Sequence, residues 1–386
     1  MFKKVAISIC SLLCIIFSIH AVAQPRTIDT LVDVGGYSMH FIILQGKGTP
    51  ILFEAGGGDD ASTWKDILQP VAQITGAPLI AYDRPGFGKS GMDTVTHGII
   101  HNIEGLETAL KKLGFSGAIM YVAHSQGGLY AQVFASRHPN LVKTAVLIDA
   151  TTACFYQPER LATTQLSINK GNVGLRYTRP GVYFQGADFT NNVEVARRSP
   201  FPSTIPVIDF VSEKTPFTDS TDVADWKRCH REFAAAANNR TGIMAWGCGH
   251  FIFADNPPLV ITAIGKAYAS IQGKEEAKNT NARIVDYNLQ AANETKKEEA
   301  INRHSEDAMN SWGYELLRAG DTQKALEVFK LNTLLYPNSW NVYDSYGEVL
   351  LQTGDKAEAA KMYRKSIELN PNNENGKKVL SEIAPK

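Results

Sequence analysis

The chain has 386 residues, with 39 lysines and arginines balanced by 39 aspartates and glutamates, so its formal charge is zero. That balance, with no long basic run, excludes a nucleic-acid or anionic-membrane partner held by bulk electrostatics. The length exceeds one average domain and predicts two or more packed units.

The first residues, Met1-Phe2-Lys3-Lys4, form a short basic head. The apolar stretch Val5 to Ile19 and the small-x-small site Ala21-Val22-Ala23 follow it. This pattern predicts a signal peptide over 1–23, cleaved after Ala23, and hence a secreted or periplasmic protein. The apolar run is shorter than the roughly 20 residues of a spanning helix, so no membrane span is expected once the signal is removed. Cys10 and Cys14 leave with the signal, and Cys154, Cys229 and Cys248 remain. Three cysteines allow at most one disulfide, and spacing does not say which pair forms it.

Thr30 to Val34, the pair Gly35-Gly36, and Tyr37 to Leu44 predict a β-hairpin, since glycines tolerate the positive φ of a tight turn. Short apolar runs then recur at 51–53, 79–82, 118–122, 145–148, 207–211 and 243–246, most of them separated by stretches of helical spacing. Continuous apolar strands alternating with helices predict a mostly parallel sheet buried on both faces, an α/β domain over 24–273. Sites in such sheets lie at the carboxyl ends of the strands. From about 152 to 203 the strand rhythm lapses, and a stretch that long is expected to be an inserted cap rather than bare loop. Residues 274–305 are polar and charged and are expected to form a linker or peripheral helix.

Beyond that point the sequence repeats itself every 34 residues. Gly313 recurs as Gly347, Leu316 as Leu350, Gly320-Asp321 as Gly354-Asp355, Ala325 as Ala359, Phe329 as Tyr363 and Pro337 as Pro371. This register predicts an all-α, tetratricopeptide-like helical repeat domain over 306–386, with flanking helices closing the stack. Its expected core includes Trp312, Leu316, Phe329, Tyr346, Leu350 and Tyr363. A stack with its own core further predicts that truncation near Lys278 leaves a folded, working α/β domain.

Ser125 stands in Val122-Ala123-His124-Ser125-Gln126-Gly127-Gly128, between the apolar run 118–122 and a helical stretch. A strand-to-helix turn that presents a side chain to substrate needs small residues two positions either side, and Ala123 and Gly127 supply them. Ser125 is therefore the candidate nucleophile. A serine hydroxyl needs a base, and the best-placed one is His250, flanked by Gly249 and directly after the last strand. The histidine needs a carboxylate to hold its tautomer. Asp149 is favoured because it follows the run 145–148; Glu213, after 207–211, is the alternative acid. The candidate oxyanion donors are the amides of Gln126 and of Gly57 in the loop Glu54-Ala55-Gly56-Gly57-Gly58. His124 is expected to line the pocket or serve structure.

Four motifs over residues 28–272 resemble those of bacterial α/β-hydrolases: Glu54 to Gly58 with Trp64 downstream, Asp83-Arg84-Pro85-Gly86-Phe87-Gly88-Lys89-Ser90, the turn Ala123 to Gly127, and Gly249-His250 with Asp255-Asn256-Pro257. Ala55, where histidine often stands, and Ala123 depart from the family pattern, but neither removes a catalytic group. The resemblance implies a Ser-His-acid hydrolase of carboxylic esters or amides that works on a small molecule without cofactor or metal. Residues 306–384 resemble repeat modules found at the C-terminus of some secreted hydrolases, which implies a possible protein partner. Two rival readings stay open: a non-catalytic adapter that uses the repeats, and another cofactor-free reaction on the same fold.

Overall fold

The structure, a computed structural model, describes residues 25–297 and 306–383. The expected signal peptide lies outside the described residues. The strands are β1 (Thr27–Asp33), β2 (Ser38–Leu44), β3 (Ile51–Glu54), β4 (Leu79–Tyr82), β5 (Ile119–His124), β6 (Val142–Ile148), β7 (Val207–Ser212) and β8 (Arg240–Ala245). Among the described residues these eight form one sheet, in the order β1-β2-β4-β3-β5-β6-β7-β8. β1 and β2 are the predicted hairpin, in register from Thr27 opposite Leu44 to Asp33 opposite Ser38, with Gly35 and Gly36 at φ 95° and 91°. β2 pairs antiparallel with β4, and every later pairing is parallel.

Alternation along a strand sends successive side chains to opposite faces. Met120 and Val122 join the buried cluster of α1 (Lys65–Thr75) and α10 (Pro257–Ala269), while Tyr121 and Ala123 join that of α2 (Ile99–Lys112) and α3 (Gly127–Arg137). The strandless stretch is helical: α4 (Pro158–Gly171), α5 (Leu175–Thr178), α6 (Pro180–Ala187) and α7 (Phe189–Arg198). Pro158 and Pro180 open their helices, where a missing N–H costs nothing. Phe184, Phe189 and Val193 turn inward and are buried. Cys154, at the entrance to this cap, is disulfide-bonded to Cys229 on α8 (Ser220–Ala235), and Cys248 is buried outside that disulfide.

Of the two alternatives over 274–305, a linker or a peripheral helix, the described part takes the second. Lys274–Lys297 is a helix, α11, packed on α1 and α10. Its mean composition is polar, but Thr280, Ile284 and Asn288, four apart, are buried on one face. The Asn288 amide donates to Thr262 Oγ1 at 2.8 Å, and Arg283 Nε donates to the Ile74 carbonyl. A single stripe is enough to dock a helix, and it disappears in an average over the segment.

The repeats are α12 (Glu306–Arg318), α13 (Thr322–Leu335), α14 (Trp340–Gln352) and α15 (Lys356–Leu369), closed by α16 (Glu374–Ile383). The 34-residue register has a steric cause. A Cβ on Gly313 would lie 2.6 Å from the Phe329 ring, and one on Gly347 would lie 3.1 Å from the Tyr363 ring. The expectation of a separate core is corrected in part. Phe329, Ala325 and Val349 form a cluster of their own, but Met309, Trp312, Val328, Leu331 and Leu335 belong to the same buried cluster as Ile243, Phe253 and Leu259 of the α/β domain. α13 packs against β8, the last strand of the sheet, and Thr241 Oγ1 on that strand donates to Glu327. An uncovered edge strand is an aggregation liability, and the first repeat covers this one.

Candidate active site

β5 ends at His124 and α3 starts at Gly127, so the intervening turn has two residues in which to reverse the chain. Ser125 achieves this at φ 50°, in a left-handed region that non-glycine residues avoid. Its own carbonyl accepts from the amides of Gly128 at 2.8 Å and Thr151 at 2.7 Å, and these bonds hold the turn. Small neighbours are obligatory here. A Cβ on Gly127 would lie 2.7 Å from the Ala55 carbonyl oxygen, and one on Gly128 would lie 2.7 Å from Ala150 Cβ.

The structure brings Ser125, His250 and Asp149 together from three separate strand ends. Ser125 Oγ lies 2.7 Å from His250 Nε2, and His250 Nδ1 lies 2.6 Å from Asp149 Oδ2. Asp149 is acceptor-only, so the hydrogen bonding assigns the Nδ1–H tautomer and leaves Nε2 to accept from the serine. Asp149 follows β6 at φ 44° and is fully buried. Its remaining lone pairs accept from Ser212 N at 2.9 Å, Ser212 Oγ at 2.7 Å and Trp226 Nε1 at 2.9 Å. Burial pushes this carboxyl up, but the His250 hydrogen bond, the His230 charge and the Trp226 donor outweigh it and hold the group below the usual carboxylate range. Glu213, the alternative acid, is placed elsewhere. Its Oε2 accepts from Gly247 N at 2.6 Å, so it braces the histidine loop from outside. Asp255 Oδ2 braces the same loop through Gly249 N at 2.6 Å.

Gly57 and Gln126, the residues expected to supply the oxyanion donors, are also neighbours in space. A Cβ on Gly57 would lie 2.3 Å from Gln126 Oε1, and one on Gly56 would lie 3.3 Å from Ser125 Cβ, so the glycine loop lies flat on the serine turn. Among the described residues neither the Gly57 nor the Gln126 amide donates to a backbone carbonyl. The Gln126 amide also sits at the N-terminus of α3, where the helix dipole favours negative charge.

What holds this loop went unnoticed in the sequence. Arg84, fully buried, donates through Nη1 to Glu54 Oε1 at 2.6 Å and to the Ala55 carbonyl at 2.5 Å, and through Nη2 to the Gly56 carbonyl. Tyr82 and Tyr121 hydroxyls donate to the other Glu54 oxygen. Burial pushes the Glu54 carboxyl up, against the pull of Arg84 and these donors. The available signal was two opposite charges at the carboxyl ends of neighbouring apolar strands. A second buried pair was also missed: His230 Nδ1 lies 2.8 Å from Asp209 Oδ2, behind Asp149.

His124 is buried, as a structural residue should be. Its Nε2 donates to the His250 carbonyl at 3.0 Å, and burial together with the neighbouring His250 charge lowers its pKa to about 3, so it stays neutral. A cleft of about 580 Å³ opens between the glycine loop and the cap, lined by Gly57, Asp59 and Gln126 on one side and by Ile168, Val182 and Phe189 on the other. Among the described residues, the one His/Cys/Asp/Glu group compact enough to hold a cation is Cys154, Cys229 and Glu232, whose two sulfurs are already joined to each other. No helix among the described residues is long and apolar enough to cross a membrane.

Comparison with known proteins follows the same division of the chain. Residues 49–168 match the family model described as the alpha/beta hydrolase fold, and residues 340–373 match that of the tetratricopeptide repeat. The chain is 25% identical to the uncharacterized protein YqjL of Bacillus subtilis (strain 168), over 56% of this chain and 83% of that protein. It is 27% identical to the 2-hydroxy-6-oxo-6-(2'-aminophenyl)hexa-2,4-dienoic acid hydrolase of Metapseudomonas resinovorans, over 33% of this chain and 43% of that one. Among solved structures, a thermophilic esterase from Thermogutta terrifontis superposes with a TM-score of 0.47 at 16% identity, covering 62% of this chain and 96% of the esterase.

Proposed function

We propose that this chain, an α/β-hydrolase with a C-terminal tetratricopeptide module, is a serine hydrolase that cleaves a small carboxylic ester or amide through an acyl-enzyme. The observation that carries the reading is the pair of short contacts from Ser125 Oγ to His250 Nε2 and from His250 Nδ1 to Asp149. Ser125 Oγ attacks the carbonyl carbon as its proton passes to Nε2, and Asp149 stabilises the imidazolium. The oxyanion is met by the Gly57 and Gln126 amides. Collapse of the intermediate expels the alcohol or amine, which takes the proton from Nε2. Water then attacks the acyl-enzyme with His250 as base, releasing the carboxylic acid and restoring Ser125. The reaction needs no cofactor.

The compartment belongs to the same proposal. A secreted or periplasmic location is supported by the signal-like residues 1–23 and by the Cys154–Cys229 disulfide, a bond that persists where the surroundings are oxidising. The repeats serve as a packing module for the sheet edge and leave α14 to α16 for a protein partner.

Labelling with a fluorophosphonate probe tests the chemistry, beside turnover of p-nitrophenyl esters of graded chain length. Ser125 is expected to be the labelled residue, and Ser125→Ala to lose on the order of 10⁴ to 10⁶ in kcat. Ester hydrolysis that survives in Ser125→Ala would overturn the reading, and an unlabelled, inactive but folded wild type would favour the adapter.

A further inference from the structure

Asp59 is the one titratable group of the glycine loop that faces the cleft and has no assigned task. Its Oδ2 lies 2.8 Å from the place a Cβ on Gly56 would take, and that same Cβ would lie 3.3 Å from Ser125 Cβ. The carboxylate therefore stands one residue's width from the nucleophile and adjoins Gly57, a proposed oxyanion donor. It is half-buried, and among the described residues no hydrogen bond to its side chain relieves it; burial pushes it up, the Arg84 charge pulls it down, and the charges of Asp60 and His250 act in opposite senses. Arg84 makes no hydrogen bond to Asp59: its Nη1 and Nη2 donate to Glu54 and to the Ala55 and Gly56 carbonyls, and its buried Nε donates to no group among the described residues. Asp60 next door caps the following turn through Ser62 N and adds a second negative charge.

A carboxylate beside an oxyanion site opposes the reaction it borders. Negative charge develops on the substrate oxygen in the transition state, and a neighbouring uncompensated negative charge disfavours it. The opposition vanishes when the substrate brings a positive charge to that spot. The opposite wall, supplied by the cap, presents apolar Ile168, Leu175, Val182 and Phe189 beside the uncharged polar Asn172 and Gln185. The one cation among the lining residues, Arg179, is exposed on the cap.

We infer that Asp59 is a cation-binding residue of the acyl cleft, selecting an acyl group that carries an ammonium close to the scissile carbonyl on an apolar chain, as an aminoacyl ester or amide does. This rests on the serine-hydrolase reading. The ammonium pairs with Asp59 in the bound state and cancels its charge as the oxyanion forms, while the aliphatic chain lies on the cap wall. Part of this pairing is thus realised only in the transition state.

The test compares leucine methyl ester with methyl 4-methylpentanoate, the same chain without the ammonium, in wild type and Asp59→Asn. The ratio of kcat/KM for the charged over the neutral ester is expected to fall by about tenfold or more in the variant, the worth of one partly screened charge pair. An equal change on both esters, or a wild-type preference for an anionic ester such as monomethyl succinate, would overturn the inference. A second readout needs no turnover. Fluorophosphonate labelling of Ser125 is expected to be slowed by 3-methylbutylammonium, not by 3-methylbutanol, and Asp59→Asn is expected to remove the difference. Failure to label at all sinks the serine-hydrolase reading itself; labelling that the amine and the alcohol slow alike sinks only the role of Asp59.

Discussion

Ser125 at φ 50° and Asp149 at φ 44° are the non-glycine residues in the left-handed region among the described residues, and both belong to the same hydrogen-bonded chain. Such a conformation costs on the order of 1 to 3 kcal/mol and persists only where the surroundings over-determine it. For Asp149 they do, through Ser212, Trp226 and His250. If Asp149 orients the imidazole, Asp149→Asn lowers kcat by about 10⁴ with little change in KM, because the amide supports the wrong tautomer. Glu213→Gln changes kcat little, since an amide oxygen still accepts from Gly247; steady-state kinetics on the best ester ranks the two. His124 supports a prediction about pH. Its folded-state pKa of about 3 lies below the ordinary histidine value of 6.5, so between the two the unfolded chain holds a proton that the native state does not. Stability is therefore lost as pH falls from 6.5 toward 3, by up to about 5 kcal/mol from this residue alone. Thermal unfolding across pH 4 to 7 should show a flatter profile for His124→Asn or His124→Gln than for wild type, and parallel profiles would contradict the assignment.

At the scale of elements, the site is a meeting of loops that are each braced from behind. The glycine loop hangs on Arg84, the histidine loop on Glu213 and Asp255, and the cap on a disulfide. Replacing Arg84 by methionine leaves Glu54 buried without its cation, which costs about 3 to 5 kcal/mol. Urea unfolding measures that loss, and removing both charges with Glu54→Gln and Arg84→Met together should recover part of it. The disulfide links residues 75 apart in sequence, and in the chain-entropy view its closure contributes roughly 4 kcal/mol. Cys154→Ser with Cys229→Ser should lower the melting temperature and raise KM more than it lowers kcat, because the bond secures the cap entrance and touches none of the reacting groups.

Across the whole molecule, the hydrolase and the first repeat share one core. Met309, Trp312, Val328, Leu331 and Leu335 are buried with hydrolase residues, and each large apolar side chain contributes about 1.5 to 3 kcal/mol. Their sum is comparable to the total stability of an ordinary domain, about 5 to 15 kcal/mol. A chain ending at Lys297 is thus expected to be insoluble or strongly destabilised, contrary to what the repeat register alone suggests. A chain ending near Pro337 keeps α12 and α13 and should remain soluble and active on a small ester. Expression of both truncations, followed by ester hydrolysis and thermal unfolding, checks this. A soluble, active product ending at Lys297 would show that the shared packing is dispensable.

Local patterns carried much of this protein. Strand runs, the hairpin glycines, the small residues around Ser125, the glycine beside His250 and the 34-residue register are properties of short stretches, set by periodicity and by steric limits within a turn. The choice between Asp149 and Glu213 was not local. Both follow apolar strands that lie side by side in the sheet, and only the turn after each strand decides which carboxylate reaches His250. The same holds for the Glu54–Arg84 pair, for the partner of Cys154, for the docked stripe of α11 and for the shared core of the first repeat. Each depends on which elements become neighbours. The sheet places β4 between β2 and β3 and puts the first repeat against β8, an order that follows from how apolar faces are best covered in three dimensions and leaves no mark in the spacing of residues along the chain.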